Sequence, residues 1–216
     1  MIRFAPGLAL IVASMFSSAN LKAAPTDNST GITFPSSSAQ KWFLPNGLTI
    51  IVQEDHSAPV ASVQAWCATG SIDEDEHLGA GLSHILEHML FKGTKTRSTN
   101  VIAQKIQDVG GYINAYTSFD RTVFWIDVPK DGIATALDVL ADAMMNSTLP
   151  PEEYQKEQEV IRREFAMGLD DPDRVVGLRL FATAYQRHPY RFPVIGKIGI
   201  YNQLTHEQVM QYYKTR

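Results

Sequence analysis

The sequence has little of what several protein classes require. It contains a single cysteine, Cys67, among 216 residues, so no disulfide can form within the chain. Acidic residues outnumber basic ones by 23 to 19 and no basic cluster is present, so we expect no nucleic-acid partner. No apolar run reaches the length of about 18 residues that a membrane-spanning helix needs. A glycine-rich phosphate-binding loop and internal repeats are also absent, which argues against nucleotide-binding and solenoid folds.

The N-terminal residues have the order of a secretory signal peptide. Arg3 precedes a mostly apolar stretch at residues 8–16, and small residues follow up to the expected cleavage position. This pattern predicts a signal peptide over residues 1–24 and a secreted or periplasmic protein with no stable membrane span after cleavage. An uncleaved membrane anchor is the alternative. Residues 25–40 are polar and rich in turn-forming residues, so we predict a flexible lead-in before a domain over residues 41–216.

Residues 81–93 are predicted to form a helix with two different faces. One face is apolar, with the i, i+3, i+4, i+7, i+8 spacing of a buried side, and carries Leu82, Ile85, Leu86, Met89 and Leu90. His84, Glu87 and His88 fall within a sector of about 100° on the opposite side. The helix is therefore expected to be anchored by one face and to present chemical groups on the other.

The polar face has the composition of a metal site. His84 and His88 are four residues apart, so both imidazoles can reach one metal ion, and neutral imidazole is a preferred zinc ligand. Glu87 lies beside them without having to bind the metal, which is the position of a general base acting on water. The alternative is a polar helix face with two solvated histidines. The glutamate completes the spacing H-x-x-E-H, the inverted zinc-peptidase motif, and this favours the metal site.

A third ligand must come from elsewhere, because a catalytic zinc ion usually has three protein ligands. The helix predicted over residues 151–167 carries Glu157 and Glu164 on its apolar side, nearly two turns apart. A buried carboxylate needs a cation, a metal or hydrogen-bond donors. Two interpretations remain open at this point. The glutamates either support a metal site or pair with basic residues of their own helix, which are Lys156, Arg162 and Arg163.

The HILEH sequence that begins at His84 resembles the motif of the pitrilysin/insulinase family of zinc peptidases. Members of this family take a third ligand from a glutamate on a later helix, and a second glutamate seven residues earlier supports the site. Glu164 lies 76 positions after His88 and seven after Glu157. The resemblance therefore implies Zn²⁺ bound by His84, His88 and Glu164, with Glu157 in support and Glu87 as the catalytic base.

A further stretch, GGYINAYT at residues 110–117, resembles the strand along which these peptidases bind an extended substrate peptide. Such binding adds a strand to the edge of a sheet, and backbone groups then supply affinity with little sequence preference. The resemblance makes Asn114 and Ala115 the candidate substrate contacts. The alternative is that both are ordinary hairpin residues.

The order of predicted elements indicates an α+β fold, because strands come first and a run of helices follows. The predicted strands cover residues 41–53, as a hairpin, and 60–69, 112–117 and 122–128. The predicted helices cover residues 81–93, 98–109, 131–145, 151–167 and 175–187, with a last one from Thr205. The acidic residues 73–76 are predicted to form a solvated loop.

The resemblance covers residues 41–216, which correspond to one half-unit of the family. It implies a mixed or antiparallel sheet packed against helices, and a zinc-dependent endopeptidase acting on oligopeptides or unfolded segments. Family members generally have a second half-unit that closes a chamber, so the implied partners are a peptide substrate and a second half-unit or homologous subunit. The alternative is a truncated or non-catalytic subunit, or a binding module that needs a partner for activity.

Overall fold

The computed structural model describes residues 38–216. The signal peptide predicted over residues 1–24 and most of the predicted lead-in lie outside the described residues. The chain divides into two units between Asp55 and His56, and of the first unit the structure describes residues 38–55.

The first unit contains a β-hairpin. Strand β1 (Gln40–Phe43) pairs with β2 (Thr49–Val52) in antiparallel register, with Trp42 opposite Ile50. The Asn46 side chain accepts a hydrogen bond from the backbone N–H of Leu48 at 3.2 Å, which stabilises the turn. This arrangement confirms the hairpin predicted from the Asn-Gly pair.

The second unit contains a three-stranded antiparallel sheet in the order β3-β5-β4. The strands are β3 (Val60–Cys67), β4 (Tyr112–Thr117) and β5 (Thr122–Pro129). Strand β5 is central and β4 lies at one edge, with Ala115 opposite Phe124. Strands were predicted at these three places. The edge of β4 that faces away from β5 has no strand partner among residues 38–216.

Helices account for most of the rest of the second unit. They are α1 (Leu82–Leu90), α2 (Thr99–Asp108), α3 (Ile133–Asn146), α4 (Pro151–Leu169), α5 (Pro172–Ala184), α6 (Ile198–Tyr201) and α7 (His206–Thr215). An antiparallel sheet together with these helices confirms the α+β class. No helix in the described part of the chain is long and apolar enough to cross a membrane.

Helix α5 begins and ends three residues earlier than predicted. Asp171 caps it by accepting hydrogen bonds from the backbone N–H groups of Asp173 and Arg174. Proline at the first helical position completes the start, because its fixed φ suits a helix and its missing N–H is not needed there. The apolar periodicity alone does not contain this signal, and the predicted range of 175–187 is therefore wrong at both ends.

Helix α1 is held between two apolar clusters. Leu82, Ile85 and Met89 pack in one cluster with residues of α4 and α7. Leu90 packs in the other, with residues of β5, α2 and α3. None of these four side chains is more than 2% exposed, and burial of each contributes about 1.5–3 kcal/mol. The apolar face fixes α1, so the position of its polar face is fixed as well.

The loop that follows α1 is tied to α3 by Asp142. The carboxylate of Asp142 accepts hydrogen bonds from Thr94 at 2.7 Å and Thr96 at 3.1 Å, and it pairs with Arg97. Asn146 donates a further bond at 2.9 Å. Burial alone would raise the pKa of Asp142, but these donors outweigh it and lower the pKa to about 2. The carboxylate therefore stabilises this loop in its ionised form.

Replacement of Asp142 by Asn is expected to lower the free energy of unfolding at pH 7 by about 1–3 kcal/mol, because charged hydrogen bonds are lost in a largely buried position. The pKa of Asp142 in the folded state lies below the ordinary value of 3.8, so this stabilisation is present above about pH 4 and disappears as the pH falls towards 2. Urea unfolding across this range measures the effect. Asp138→Asn is the matched control, since Asp138 also pairs with Arg97 but its side chain is 59% exposed. An equal loss in both variants would contradict the assignment.

Candidate metal centre

The N-terminal end of α1 is held by a buried carboxylate. Glu74 is 1% exposed and accepts hydrogen bonds from the backbone N–H groups of Gly81 at 3.0 Å and Ser83 at 3.1 Å. Burial raises the pKa of Glu74 to about 7 against the opposing effect of these donors. The predicted solvated loop at residues 73–76 is therefore wrong for Glu74, because the unpaired N–H groups at a helix start attract a carboxylate.

Gly81 is required at this helix start for two reasons. Its φ of 79° lies in the left-handed region that other residues rarely adopt. A Cβ at this position would also lie 2.3 Å from the carbonyl oxygen of Ile195. The glycine thus allows the segment around Ile195 to lie directly against the start of the helix that carries His84.

Three predicted ligands converge in the structure. The Nε2 atom of His84 lies 3.7 Å from one carboxylate oxygen of Glu164, and the Nε2 atom of His88 lies 3.8 Å from the other. One potential ligand atom from each of the three residues lies within 4.8 Å of the others. Helix α1 supplies both imidazoles and α4 supplies the carboxylate, so a contact between two helices brings together residues 76 positions apart.

The separations between these groups are wider than those around a zinc ion in a tetrahedral site. Ligand atoms about 2.0–2.1 Å from a zinc ion stand about 3.3 Å from one another in a tetrahedron. The two imidazole–carboxylate separations are slightly larger than this and too long for hydrogen bonds. The three groups therefore surround a common position without bonding to each other, and their ligand atoms, which lie within 4.8 Å of one another, would have to move inward to enclose an ion.

The histidines differ in electrostatic environment. Burial, followed by the charges of His88 and Arg174, lowers the pKa of His84 to about 3, so its ring is neutral as a metal ligand requires. Burial also acts to lower the pKa of His88, but the hydrogen bond to Glu157 and the neighbouring carboxylates outweigh it and raise the pKa. Without an ion, His88 is therefore the imidazole that attracts a proton.

Glu157 orients His88 from the side away from Glu164. The Nδ1 atom of His88 lies 2.9 Å from Glu157 Oε2, and Lys92 Nζ donates to Oε1 at 2.6 Å. A hydrogen bond at Nδ1 fixes the tautomer that leaves the Nε2 lone pair free for a metal. Burial acts to raise the pKa of Glu157, but the bonds from His88 and Lys92 lower it overall.

Glu157 and Glu164 are not paired with basic residues of their own helix. Lys156 pairs with Glu153, and Arg162 pairs with Glu159. The cation beside Glu157 is Lys92, which follows α1 in the chain. The sequence analysis did not identify Lys92 as the partner of Glu157. A lysine two residues after the end of α1 could have been considered as a partner for a carboxylate near the site.

Glu87 lies beside the three converging groups and is held by a threonine. The Thr117 hydroxyl donates to Glu87 Oε2 at 2.6 Å. Burial raises the pKa of Glu87, and the Thr117 bond and the charge of His88 oppose this rise. Sequence reasoning did not identify Thr117. The alternation of side chains along β4 could have indicated it. Ile113, Ala115 and Thr117 face inwards, and Thr117 is the polar one of the three.

An open cleft of about 290 Å³ lies in front of these groups. It is lined by Ala115 but not by Asn114, whose side-chain oxygen accepts from the backbone N–H of Ala115 and whose nitrogen donates to Tyr112. The alternation of β4 separates these two predicted substrate contacts onto opposite faces. The remaining lining residues are His84, Glu87, Tyr116, Thr117, Arg174, Val194 and Ile195.

Comparisons with known proteins identify the family of this chain. The sequence profile described as "Insulinase (Peptidase family M16)" matches residues 49–197. The chain is 37% identical over 172 residues to the "probable mitochondrial-processing peptidase subunit beta" of Arabidopsis thaliana, covering 80% of this chain and 32% of that protein. It is 35% identical over 173 residues to an "uncharacterized zinc protease" of Mycobacterium leprae, covering 80% of this chain and 39% of that protein.

The fold is shared with a solved structure. A protease from Helicobacter pylori superposes with a TM-score of 0.76 at 27% identity, covering 82% of this chain and 43% of the other. The chain thus spans between about a third and two fifths of the length of the two curated relatives. The matched residues include His84, Glu87, His88, Glu157 and Glu164. The chain belongs to the insulinase family of peptidases, family M16, of which it forms a half-unit.

Proposed function

We propose that this chain is the metal-binding half-unit of a zinc-dependent endopeptidase that hydrolyses peptide bonds in oligopeptides or unfolded segments. The observation that carries the proposal is the convergence of His84, His88 and Glu164 within 4.8 Å, with the Glu87 carboxylate beside them. This combination fits hydrolysis better than a purely structural metal site, because a structural zinc usually has four protein ligands and no adjacent free base.

Each side chain has a distinct role in the proposed site. His84, His88 and Glu164 would hold the ion, and Glu157 keeps His88 in the tautomer that metal binding requires. A zinc ion bound there would act as a Lewis acid, polarising the scissile carbonyl and lowering the pKa of water towards about 7. The chain supplies three ligands and leaves one side open towards the cleft, as catalytic zinc sites require.

Glu87 moves the proton. It accepts a proton from the attacking water molecule and delivers it to the amine nitrogen that leaves when the peptide bond breaks. The bond from Thr117 restrains one carboxylate oxygen, so the other remains available for this transfer. Because burial raises the pKa of Glu87, the carboxylate is a stronger base than an exposed glutamate.

The substrate is proposed to bind as an extended peptide along the free edge of β4. Backbone groups at such an edge recognise any extended chain, which suits oligopeptides and unfolded segments. Ala115 borders the cleft and is the better supported of the two predicted contacts. Asn114 remains a predicted contact through its position on the edge strand.

A second candidate function is that of a subunit that needs a partner for activity. It is favoured by the name of the Arabidopsis relative, which is itself described as a subunit. The partner would be a second half-unit or a homologous subunit that covers the cleft. Secretion or a periplasmic location remains a proposal that rests on the N-terminal sequence pattern.

Removal of the metal is expected to abolish peptide hydrolysis. The full chain is assayed with a quenched fluorogenic peptide, alone and with an added second half-unit, and zinc is measured by elemental analysis. One zinc ion per chain, loss of cleavage with a chelator and recovery on adding zinc are the expected results. Cleavage only with the second half-unit would favour the subunit function. Bound zinc without cleavage in either condition would contradict both and leave a metal-binding module.

A further inference from the structure

A free cation lies at the edge of the candidate metal centre. Arg174, at the start of α5, lines the cleft together with His84 and Glu87. Its side chain has no hydrogen bond or ion pair with any residue in the range 38–216, whereas Lys92 on the other side of the site is paired with Glu157. An unpaired guanidinium beside a cleft is available to bind an anion from outside the chain.

Gly168 provides the space that the guanidinium occupies. Gly168 is buried in α4 one turn after Glu164, and residues four apart share a helix face. A Cβ at Gly168 would lie 2.9 Å from Cζ and 3.0 Å from Nε of Arg174. Glycine inside a helix costs about 0.5–1 kcal/mol relative to alanine. The close approach of Arg174 explains why a glycine is required at position 168. The same contact places the guanidinium on the side of α4 that carries Glu164.

The dipole of its own helix does not explain the position of Arg174. It lies in the first turn of α5, where the helix dipole disfavours a positive charge. Its guanidinium lies against the last turn of α4, an end of a helix where a positive charge is favoured, and it has no carboxylate partner among residues 38–216, so its hydrogen-bond donors remain available to a ligand.

We propose that Arg174 binds an acidic side chain of the substrate, so that peptides with Asp or Glu next to the scissile bond are preferred. This inference rests on the proposed function, because that function identifies the ligand of Arg174 as a peptide substrate. A guanidinium binds a carboxylate through two parallel hydrogen bonds, which lysine cannot reproduce. A peptide extended along β4 directs successive side chains to opposite faces, so one substrate position faces α5 and the preference belongs to that position.

The test compares peptides that differ only by Glu or Gln at each position flanking the cleaved bond, with both termini blocked. The full chain with zinc, and with the second half-unit if cleavage requires it, is expected to prefer Glu by about 10-fold in kcat/KM at one position. Arg174→Gln should remove this preference and Arg174→Lys should retain only part of it. Arg179→Gln, an exposed arginine of the same helix, should leave the preference intact.

Gly168→Ala provides a second variant that leaves the arginine in place. The added Cβ should displace the guanidinium and reduce the Glu preference, while bound zinc stays at the wild-type level. Equal rates for Glu and Gln peptides at every position would overturn the inference, and so would a Glu preference that persists in Arg174→Gln. A second set of the same peptides has a free C-terminus, and a carboxylate effect seen only in that set would also overturn the inference, in favour of recognition of the chain end.

Binding separates this inference from the proposed function. Labelled Glu and Gln peptides are titrated against the zinc-loaded Glu87→Gln protein, and fluorescence anisotropy gives their dissociation constants. Tighter binding of the Glu peptide, lost in Glu87→Gln/Arg174→Gln, supports the inference even if the wild-type chain cleaves nothing. Cleavage without any Glu preference in rate or binding would uphold the proposed function and overturn the inference.

Discussion

Glu87→Gln is expected to lower kcat/KM for peptide hydrolysis by about 10²–10⁴-fold while zinc remains bound. The amide cannot accept the proton of the attacking water, but it has nearly the same size and can still accept the hydrogen bond from Thr117. Glu87 is not one of the three converging ligand groups, so retention of zinc should change little. Initial rates with a quenched peptide and zinc content by elemental analysis measure the two effects separately.

The matched control for this change is Glu152→Gln. Glu152 is an exposed carboxylate in the first turn of α4, away from the cleft, so its replacement should leave both rate and zinc content unchanged. Activity of Glu87→Gln close to that of the wild type would contradict the assignment of Glu87 as the base. Loss of zinc together with loss of activity would instead indicate that Glu87 supports the metal site.

Glu164→Gln is expected to weaken zinc binding by about 10-fold or more, and activity should fall with the bound zinc. The carboxylate is the only anionic group among the three ligands, and its two oxygens face the Nε2 atoms of His84 and His88 at 3.7 and 3.8 Å. A neutral amide oxygen is a weaker zinc ligand than a carboxylate. Competition with a chromogenic chelator gives the dissociation constants of wild type and variant.

Glu159→Gln is the control on the same helix, since Glu159 pairs with Arg162 at the surface. Its zinc affinity should equal that of the wild type. Excess zinc should restore part of the activity of Glu164→Gln, because the two imidazoles remain in place. An unchanged zinc affinity of Glu164→Gln would show that Glu164 is not a zinc ligand. The proposed site would then have no ligand from α4.

Much of the site was predictable because it lies on helices with regular periodicity. The apolar spacing of α1 determines which side is buried, and His84, Glu87 and His88 follow on the other side. Glu157 and Glu164 share the inner face of α4 by the same geometry. Choosing between a metal site and local ion pairs for them needed the family resemblance, since helix geometry allowed both.

Other features depended on contacts between elements distant in sequence. Glu74 belonged to an acidic stretch that looked solvated, yet its carboxylate meets the N–H groups of Gly81 and Ser83. Thr117 and Arg174 belong to no sequence motif. Their roles are inferred only from their contacts with Glu87 and Gly168 in the folded structure. Short-range sequence patterns cannot predict such contacts, because they contain no information on which helices, strands and loops lie next to one another in the fold.

The sequence by itself determined the class of the fold and the two faces of α1, because these follow from periodicity, and it offered His84 and His88 as candidate metal ligands through their spacing. The tertiary structure decided the rest. Packing of α1 against α4 brings His84 and His88 to Glu164, and the end of β4 brings Thr117 to Glu87. Distances between helices arise from the filling of a shared apolar core, which no local pattern encodes.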